Sequence, residues 1–152
     1  MGGGGELSFA DDAALDAAVA VLRAGGLLVY PTETVYGIGT ALSAGEAGIE
    51  AVRRAKGSPP GRPFLLLVAS VTEALALWDP SPAGPFHLWP GPVTLVGPAR
   101  AGLPPSLLGR EGDVPTVSVR VPGDERLREL LRRLGEPLLS TSANPAAAAP
   151  PA

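Results

Sequence analysis

The sequence contains no cysteine and only one histidine, His87, among its 152 residues. Disulfides, thiolate nucleophiles and cysteine-ligated zinc sites are therefore excluded. A Ser-His-Asp triad would have to be built around that single imidazole. His87 stands beside Trp89 and Pro90, so we expect it to pack in an apolar turn. A phosphate-binding loop of the form GxxxxGK[ST] is also absent.

Long apolar runs and an excess of positive charge are missing as well. The apolar runs at residues 26–30 and 63–69 fall far short of the roughly 20 residues that span a bilayer. Residues 1–6 have neither the basic nor the apolar region of a secretory signal. We therefore expect a cytoplasmic protein with no membrane partner. Because the net charge is −3, any phosphate site must be a local basic patch.

Glycine and proline are abundant, with 20 and 18 residues, and they fall mostly between apolar runs as turn residues. The hydrophobic content of 45% indicates a folded core. A chain of this length is the size of one domain. We predict a single domain over residues 1–152, with residues 1–8 and 145–152 flexible.

The spacing of apolar residues predicts helices that alternate with strands. Helices are predicted after Asp11 or Asp12, from Ser43 to about Lys56 with Glu46 completing a capping box, from Ser70 to about Trp78, and after Asp124. Strands are predicted over residues 27–30, 64–68, 93–96 and 117–121 and from residue 137, with a loop at 57–62 and a mobile excursion at 98–114. This order favours an α/β layered fold.

Four polar segments follow or line the predicted strands and helices. Residues 31–37 and 140–144 are rich in hydroxyl groups, and the basic residues 53–56 end a helix. Thr116, Ser118 and Arg120 share one side of their strand because side chains alternate. Each segment alone has a plain structural explanation, such as a helix cap or a solvent-facing strand. Together, near carboxyl strand ends, hydroxyls with Lys and Arg suit an amino acid and a polyphosphate.

Five motifs occur in a recognisable order across roughly residues 10–145. They are Tyr30-Pro-Thr-Glu-Thr-Val-Tyr-Gly37, the Lys56-Gly-x-Pro loop that closes at Pro63, Trp89-Pro-Gly-Pro-Val-Thr94, Val119-Arg-Val-Pro122 and Ser140-Thr-Ser-Ala-Asn144. In these motifs the chain resembles the YrdC/Sua5 family of threonylcarbamoyl-AMP synthases. The resemblance implies an α/β fold in which a twisted mixed sheet, flanked by helices, surrounds a concave groove.

The resemblance also implies a reaction and its participants. Members of the family make threonylcarbamoyl-AMP from ATP, L-threonine and bicarbonate, which is the first intermediate of threonylcarbamoyladenosine modification of tRNA. Mg²⁺ is implied on the phosphates of the nucleotide. Downstream tRNA threonylcarbamoyl-transferase proteins are implied as partners, and several members are described as binding double-stranded RNA.

The residues that match the family's site can be named by position. Lys56, Ser142 and Asn144 are implied as catalytic, with Lys56 meeting the nucleotide phosphates. The implied substrate-binding residues are Thr32 for threonine, Thr94, Thr116 and Ser118 for the nucleotide and amino-acid pockets, Arg120 for a carboxylate or phosphate, and Arg62.

Two departures from the family pattern favour an alternative. Ser58 stands where the family has the arginine of Lys-x-Arg, and a hydroxyl does not replace an arginine fork. Arg62, four residues later, is the candidate substitute. Asn144 is followed by Pro-Ala-Ala-Ala where the family has Ser-Gly, so one wall of the groove is expected to be missing. The main alternative is a non-catalytic relative that binds nucleotide or double-stranded RNA, with a regulatory role in translation; an unrelated hydrolase or carbamoyl-transfer enzyme on the same fold is a third.

Overall fold

Residues 11–31, 36–56 and 64–142 are described by the computed structural model of the protein. They form seven strands: β1 (Leu28–Pro31), β2 (Tyr36–Ala41), β3 (Leu65–Leu67), β4 (Leu95–Pro98), β5 (Gly109–Glu111), β6 (Val114–Arg120) and β7 (Leu138–Ser142). The helices are α1 (Asp12–Arg23), α2 (Gly45–Lys56), α3 (Val71–Leu75) and α4 (Glu125–Leu134). The predicted loop at 57–62 and the flexible ends lie outside the described residues.

The strands form one mixed sheet in the order β1-β2-β7-β3-β6-β4, with β5 paired to β6. Strands β3 and β6 run parallel, and every other described pair is antiparallel. The chain therefore crosses repeatedly between distant strands, and β7, the last strand, lies between β2 and β3. This topology confirms the predicted α/β class, a mixed sheet flanked by helices.

Two helices begin where the sequence predicts, at aspartate caps. The Asp11 carboxylate accepts a hydrogen bond of 2.8 Å from the Ala14 amide, and the Asp124 carboxylate accepts one of 2.9 Å from the Leu127 amide. These bonds satisfy amides that have no partner within the helix. The predictions of α1 and α4 are therefore confirmed at their first residues.

The capping box predicted for α2 is wrong. Ser43 lies in a 3-10 turn over Leu42–Ala44, and its amide and hydroxyl both donate to the Glu136 carboxylate. Glu46 instead accepts a hydrogen bond of 3.0 Å from the Ser106 amide. Hydrogen bonding by the Ser106 side chain, and to a smaller extent by this amide, lowers the pKa of the Glu46 carboxyl. Partners distant in sequence have replaced the local pair. The end of α2 at Lys56 is as predicted.

Three other predictions are corrected by the structure. Residues 98–114 are an ordered segment, because Leu103 and Leu107 are buried and β5 pairs with β6. A strand that was not predicted, β2, forms an antiparallel hairpin with β1. His87 lies exposed in a 3-10 turn, since the neighbouring tryptophan, Trp89, fills the apolar site instead.

Apolar layers cover both faces of the sheet. Helices α1 and α4 pack on one face against residues such as Leu67 and Leu138. Helix α2 packs on the other face through Ile49 and Val52, together with a group of aromatic side chains. Among the described residues, no helix combines the length and apolar character that crossing a membrane requires.

Candidate active site

Helix α2 delivers Lys56 to the end of β7. The Lys56 ammonium donates to the Thr141 hydroxyl at 3.4 Å. Thr141 lies opposite Ile38 in the sheet, and Ile38 belongs to the apolar layer beneath α2. Because partners across two strands share a face, Lys56 meets β7 from the α2 face of the sheet.

The neighbouring residues of β7 are anchored in the sheet. Ser140 lies opposite both Gly39 and Leu65, is 5% exposed, and shares a short hydrogen bond with the Tyr30 hydroxyl. The backbone of Ser142 lies opposite Gly37. The hydroxyl-rich segment therefore begins on a fixed strand.

Glycine is required where Tyr30 crosses β2. A Cβ atom at Gly37 would lie 2.6 Å from the Tyr30 ring, and one at Gly39 would lie 2.3 Å from the Leu139 carbonyl oxygen. Any side chain at either position would displace the ring or the backbone of β7. The two glycines thus allow the Tyr30 hydroxyl to reach Ser140.

Tyr30 is fully buried, and burial raises the pKa of its phenol above the ordinary value of 10.0. The hydrogen bond with Ser140 and the charge of Arg120 act in the opposite direction but are weaker. The phenol therefore stays protonated at neutral pH and serves as a hydrogen-bonding group, with no role as a base.

Arg120 stands on the same face as Tyr30 and holds a neighbouring turn. It lies opposite Leu67 in the parallel pair of strands and is 9% exposed. Its Nε donates to the Gly91 carbonyl at 2.9 Å, and the Gly91 amide donates to the Val121 carbonyl at 2.9 Å. At least part of this guanidinium is therefore committed to the fold.

The turn before β4 is fixed by two stacked tryptophans. The rings of Trp78 and Trp89 are 6.3 Å apart and inclined by 8°. The Trp89 indole donates to the Val93 carbonyl at 2.6 Å, and that of Trp78 donates to the Val117 carbonyl at 3.1 Å. Thr94, which follows this turn, is exposed to solvent.

Thr116 and Ser118 continue the polar strip of β6 that ends at Arg120. Thr116 is buried and Ser118 is half-buried, so this side of the strand is less open than a solvent-facing strand would be. Val96 lies opposite Ser118 and is 56% exposed, so this face of the sheet is open to solvent at β4.

The described site residues approach the sheet from two sides. Lys56 reaches β7 from the α2 face, whereas Thr116, Ser118 and Arg120 lie on the α1/α4 face by strand alternation. Thr32, Arg62 and Asn144 lie outside the described residues, as does Ser58. Of Ser142, only the backbone position is described. The roles assigned to these residues stay predictions.

No separate signal in the sequence identifies the Tyr30–Ser140 pair. Both residues lie within the recognised motifs, but 110 positions separate them in the chain, and their contact depends on the order of strands. Only the presence of polar residues in two apolar strands hinted that each needs a buried partner.

Comparison with known proteins identifies the family to which this chain belongs. The profile of the Sua5/YciO/YrdC family, described as telomere recombination, matches residues 20–152. The threonylcarbamoyl-AMP synthase of Nitrosococcus oceani is 38% identical over 88% of this chain and 72% of its own length. That of Stenotrophomonas maltophilia is 38% identical over 91% of this chain and 75% of its own length.

A solved structure is similar as well. The Sua5 protein of Pyrococcus abyssi, complexed with L-threonine, aligns with a TM-score of 0.78 at 30% identity. The alignment covers 93% of this chain and 42% of that longer chain. Sequence profile, curated relatives and three-dimensional fold therefore agree, and the chain belongs to the Sua5/YciO/YrdC family.

Proposed function

We propose that the chain is an L-threonylcarbamoyladenylate synthase, a nucleotidyltransferase that uses ATP, L-threonine and bicarbonate. The observation that carries the proposal is the contact of Lys56 with Thr141, which brings a cation to the hydroxyl-rich end of β7. The names of the curated relatives support the same activity, and the threonine complex of the Pyrococcus protein supports threonine as a substrate.

The chemistry needs positioning and charge neutralisation more than a strong base. The threonine nitrogen attacks the carbon of bicarbonate, which loses water to give a carbamate. A carbamate oxygen then attacks the α-phosphorus of ATP, and pyrophosphate leaves with the bonding electron pair. Negative charge on the phosphates is what the protein must offset. In this proposal Lys56 does so, while Thr32, Arg120, Ser142 and Asn144 orient the substrates.

Mg²⁺ fits this site as a companion of the nucleotide. Among the described residues, no three acidic or histidine side chains cluster as ligands. Mg²⁺ keeps several waters and is commonly bound through one or two carboxylates plus substrate phosphates. When bound, it would offset part of the phosphate charge, and Lys56 would act beside it.

A second function is favoured by Ser58 at the position of the family's second basic residue. A site with one cation fewer is suited to hold a nucleotide or double-stranded RNA without turning it over. Partnership with tRNA threonylcarbamoyl-transferase proteins belongs to the first proposal alone, whereas a cytoplasmic location is proposed for either function.

Pyrophosphate release separates the two functions. The purified chain would be incubated with MgATP, L-threonine and bicarbonate, and each substrate would be omitted in turn. We expect release that requires all three, with threonylcarbamoyl-AMP detected by mass spectrometry. D-threonine is the matched control for the amino-acid site. Binding of ATP without threonine-dependent release would contradict the synthase and support the binding protein.

A further inference from the structure

Arg53 lies one helical turn before Lys56, on the same side of α2. Residues three apart on a helix are neighbours on its surface. Arg53 is largely buried, with 17% of its side chain exposed, whereas the adjacent Arg54 is 73% exposed. Of two consecutive arginines, therefore, only Arg53 faces the protein.

The Arg53 guanidinium lies over an aromatic ring. Its central carbon lies 5.5 Å from the centre of the Phe64 ring. Its Nε is buried and has no hydrogen-bond partner among the described residues. Its ion pair with Glu50 spans 4.0 Å, which is longer than a hydrogen bond. A buried donor left in this state is costly unless a ligand completes it.

Phe64 places this guanidinium close to the Lys56 site. Phe64 directly precedes β3, and the antiparallel register pairs Leu65 with Ser140. One step further along both strands, Phe64 comes beside Thr141, which accepts the hydrogen bond from Lys56. Arg53 and Lys56 are thus carried by one helix end to neighbouring positions, at the start of β3 and near the end of β7.

We infer that Arg53 is the second cation of the phosphate site, binding the polyphosphate of a nucleoside triphosphate beside Lys56. The inference rests on the proposed function and deepens it, because it supplies the positive charge that Ser58 does not. The contact with the Phe64 ring holds the guanidinium near the start of β3, close to the strand end that Lys56 reaches. A planar fork held there is suited to two phosphate oxygens at once.

Arg53→Gln tests the assignment, with Arg54→Gln as the matched control. Both variants lose one charge from the same helix end, and both lose an ion pair with Glu50. Titration of MgATP in a calorimeter should show roughly tenfold weaker binding for Arg53→Gln, as for a hydrogen bond to a charged group. Arg54→Gln should change binding by less than about twofold. Equal effects in the two variants would overturn the inference.

The KM values for the three substrates show which substrate supplies the anion that Arg53 binds. In the pyrophosphate assay Arg53→Gln should raise KM for ATP and leave KM for threonine and bicarbonate unchanged. A rise confined to threonine or bicarbonate would mean that Arg53 binds a carboxylate, and would overturn the nucleotide assignment. Because the calorimetric titration needs no turnover, a chain without synthase activity would still test Arg53.

Two further variants separate the loss of charge at Arg53 from a loss of folding. Arg53→Met keeps an apolar contact with the Phe64 ring but carries no charge, so it should weaken MgATP binding as much as Arg53→Gln even where glutamine destabilises the fold. Adding Ser58→Arg to Arg53→Gln should restore most of the lost affinity, since a second cation returns to the site. Parental affinity in Arg53→Met, or no recovery in the double variant, would contradict the inference.

Discussion

Two polar clusters lie on opposite faces of the sheet. The buried cluster comprises Tyr30, Ser140 and Arg120, which are 0%, 5% and 9% exposed. The rim cluster comprises Arg53 and Lys56, which reach Phe64 and Thr141 from the end of α2. Both clusters meet β7, at residues 140 and 141, one step apart along the strand.

The difference in burial between the clusters indicates that one serves stability and the other activity. In a buried site every polar group must be hydrogen-bonded, because desolvation is costly and water cannot replace a lost partner. The buried cluster accordingly fixes β7 and the turn at Gly91. The rim cluster is less enclosed, because 17% of the Arg53 side chain is exposed and Lys56 is half-buried. We expect loss of the Tyr30–Ser140 pair to cost mainly stability, and loss of the rim cluster to cost mainly activity.

The largest effect is expected at Lys56. Lys56→Ala should lower kcat/KM for threonine-dependent pyrophosphate release by about 100-fold, the scale seen when one preorganised charge-stabilising donor is removed. The melting temperature should change little, because Lys56 is half-buried and its bond to Thr141 is long. Arg54→Ala is the control on the same helix end. Unfolding of Lys56→Ala, with no separate loss of activity, would remove the distinction between the clusters.

Local signals explain which parts of the fold were predictable. Asp11 and Asp124 each accept a hydrogen bond from the amide three residues later, so the sequence alone is enough to locate these helix caps. Strand β2 escaped prediction because glycine is rare in strands, and two glycines stand at positions 37 and 39. The Tyr30 ring leaves no room for a side chain at Gly37, and the Leu139 carbonyl leaves none at Gly39; both are tertiary contacts. The prediction of a mobile segment at 98–114 is wrong for the same reason, because Leu103 and Leu107 are buried by tertiary contacts that form only in the folded chain.

The motifs identify the candidate site residues, but they do not predict how these residues are arranged in the fold. The motifs named Lys56 and Arg120, yet nothing in them shows that these residues approach the sheet from opposite faces. Arg53 and Arg54 are identical in type and adjacent in sequence. Which of them turns inward depends on the phase of α2 relative to Phe64, and hence on a packing contact outside the motif.

A moderate effect on stability is expected in the buried cluster. Ser140→Ala should lower the free energy of unfolding by about 1–3 kcal/mol, because it leaves the Tyr30 hydroxyl buried without its partner. Tyr30→Phe with Ser140→Ala should cost less than the sum of the single changes, since no polar group is then left unpaired. Urea unfolding of the four proteins measures the coupling. Additive costs would show that the hydrogen bond contributes nothing.

The smallest effect is a dependence of stability on alkaline pH. Burial raises the pKa of Tyr30 in the folded protein, while the unfolded chain keeps an ordinary value near 10. Above that pH the unfolded state loses the phenol proton and the folded state keeps it, so stability falls as pH rises. For this one group the loss should reach about 1.4 kcal/mol at pH ~11.

Tyr30→Phe isolates this contribution from the other groups of the protein that titrate at alkaline pH. The difference in unfolding free energy between the parent and Tyr30→Phe should be constant below pH ~9 and should shrink as pH rises toward ~11, because only the parent loses stability through this phenol. Parallel curves across the whole range would mean that Tyr30 ionises normally in the folded state. The buried cluster would then be open to solvent, and the contrast with the rim cluster would no longer hold.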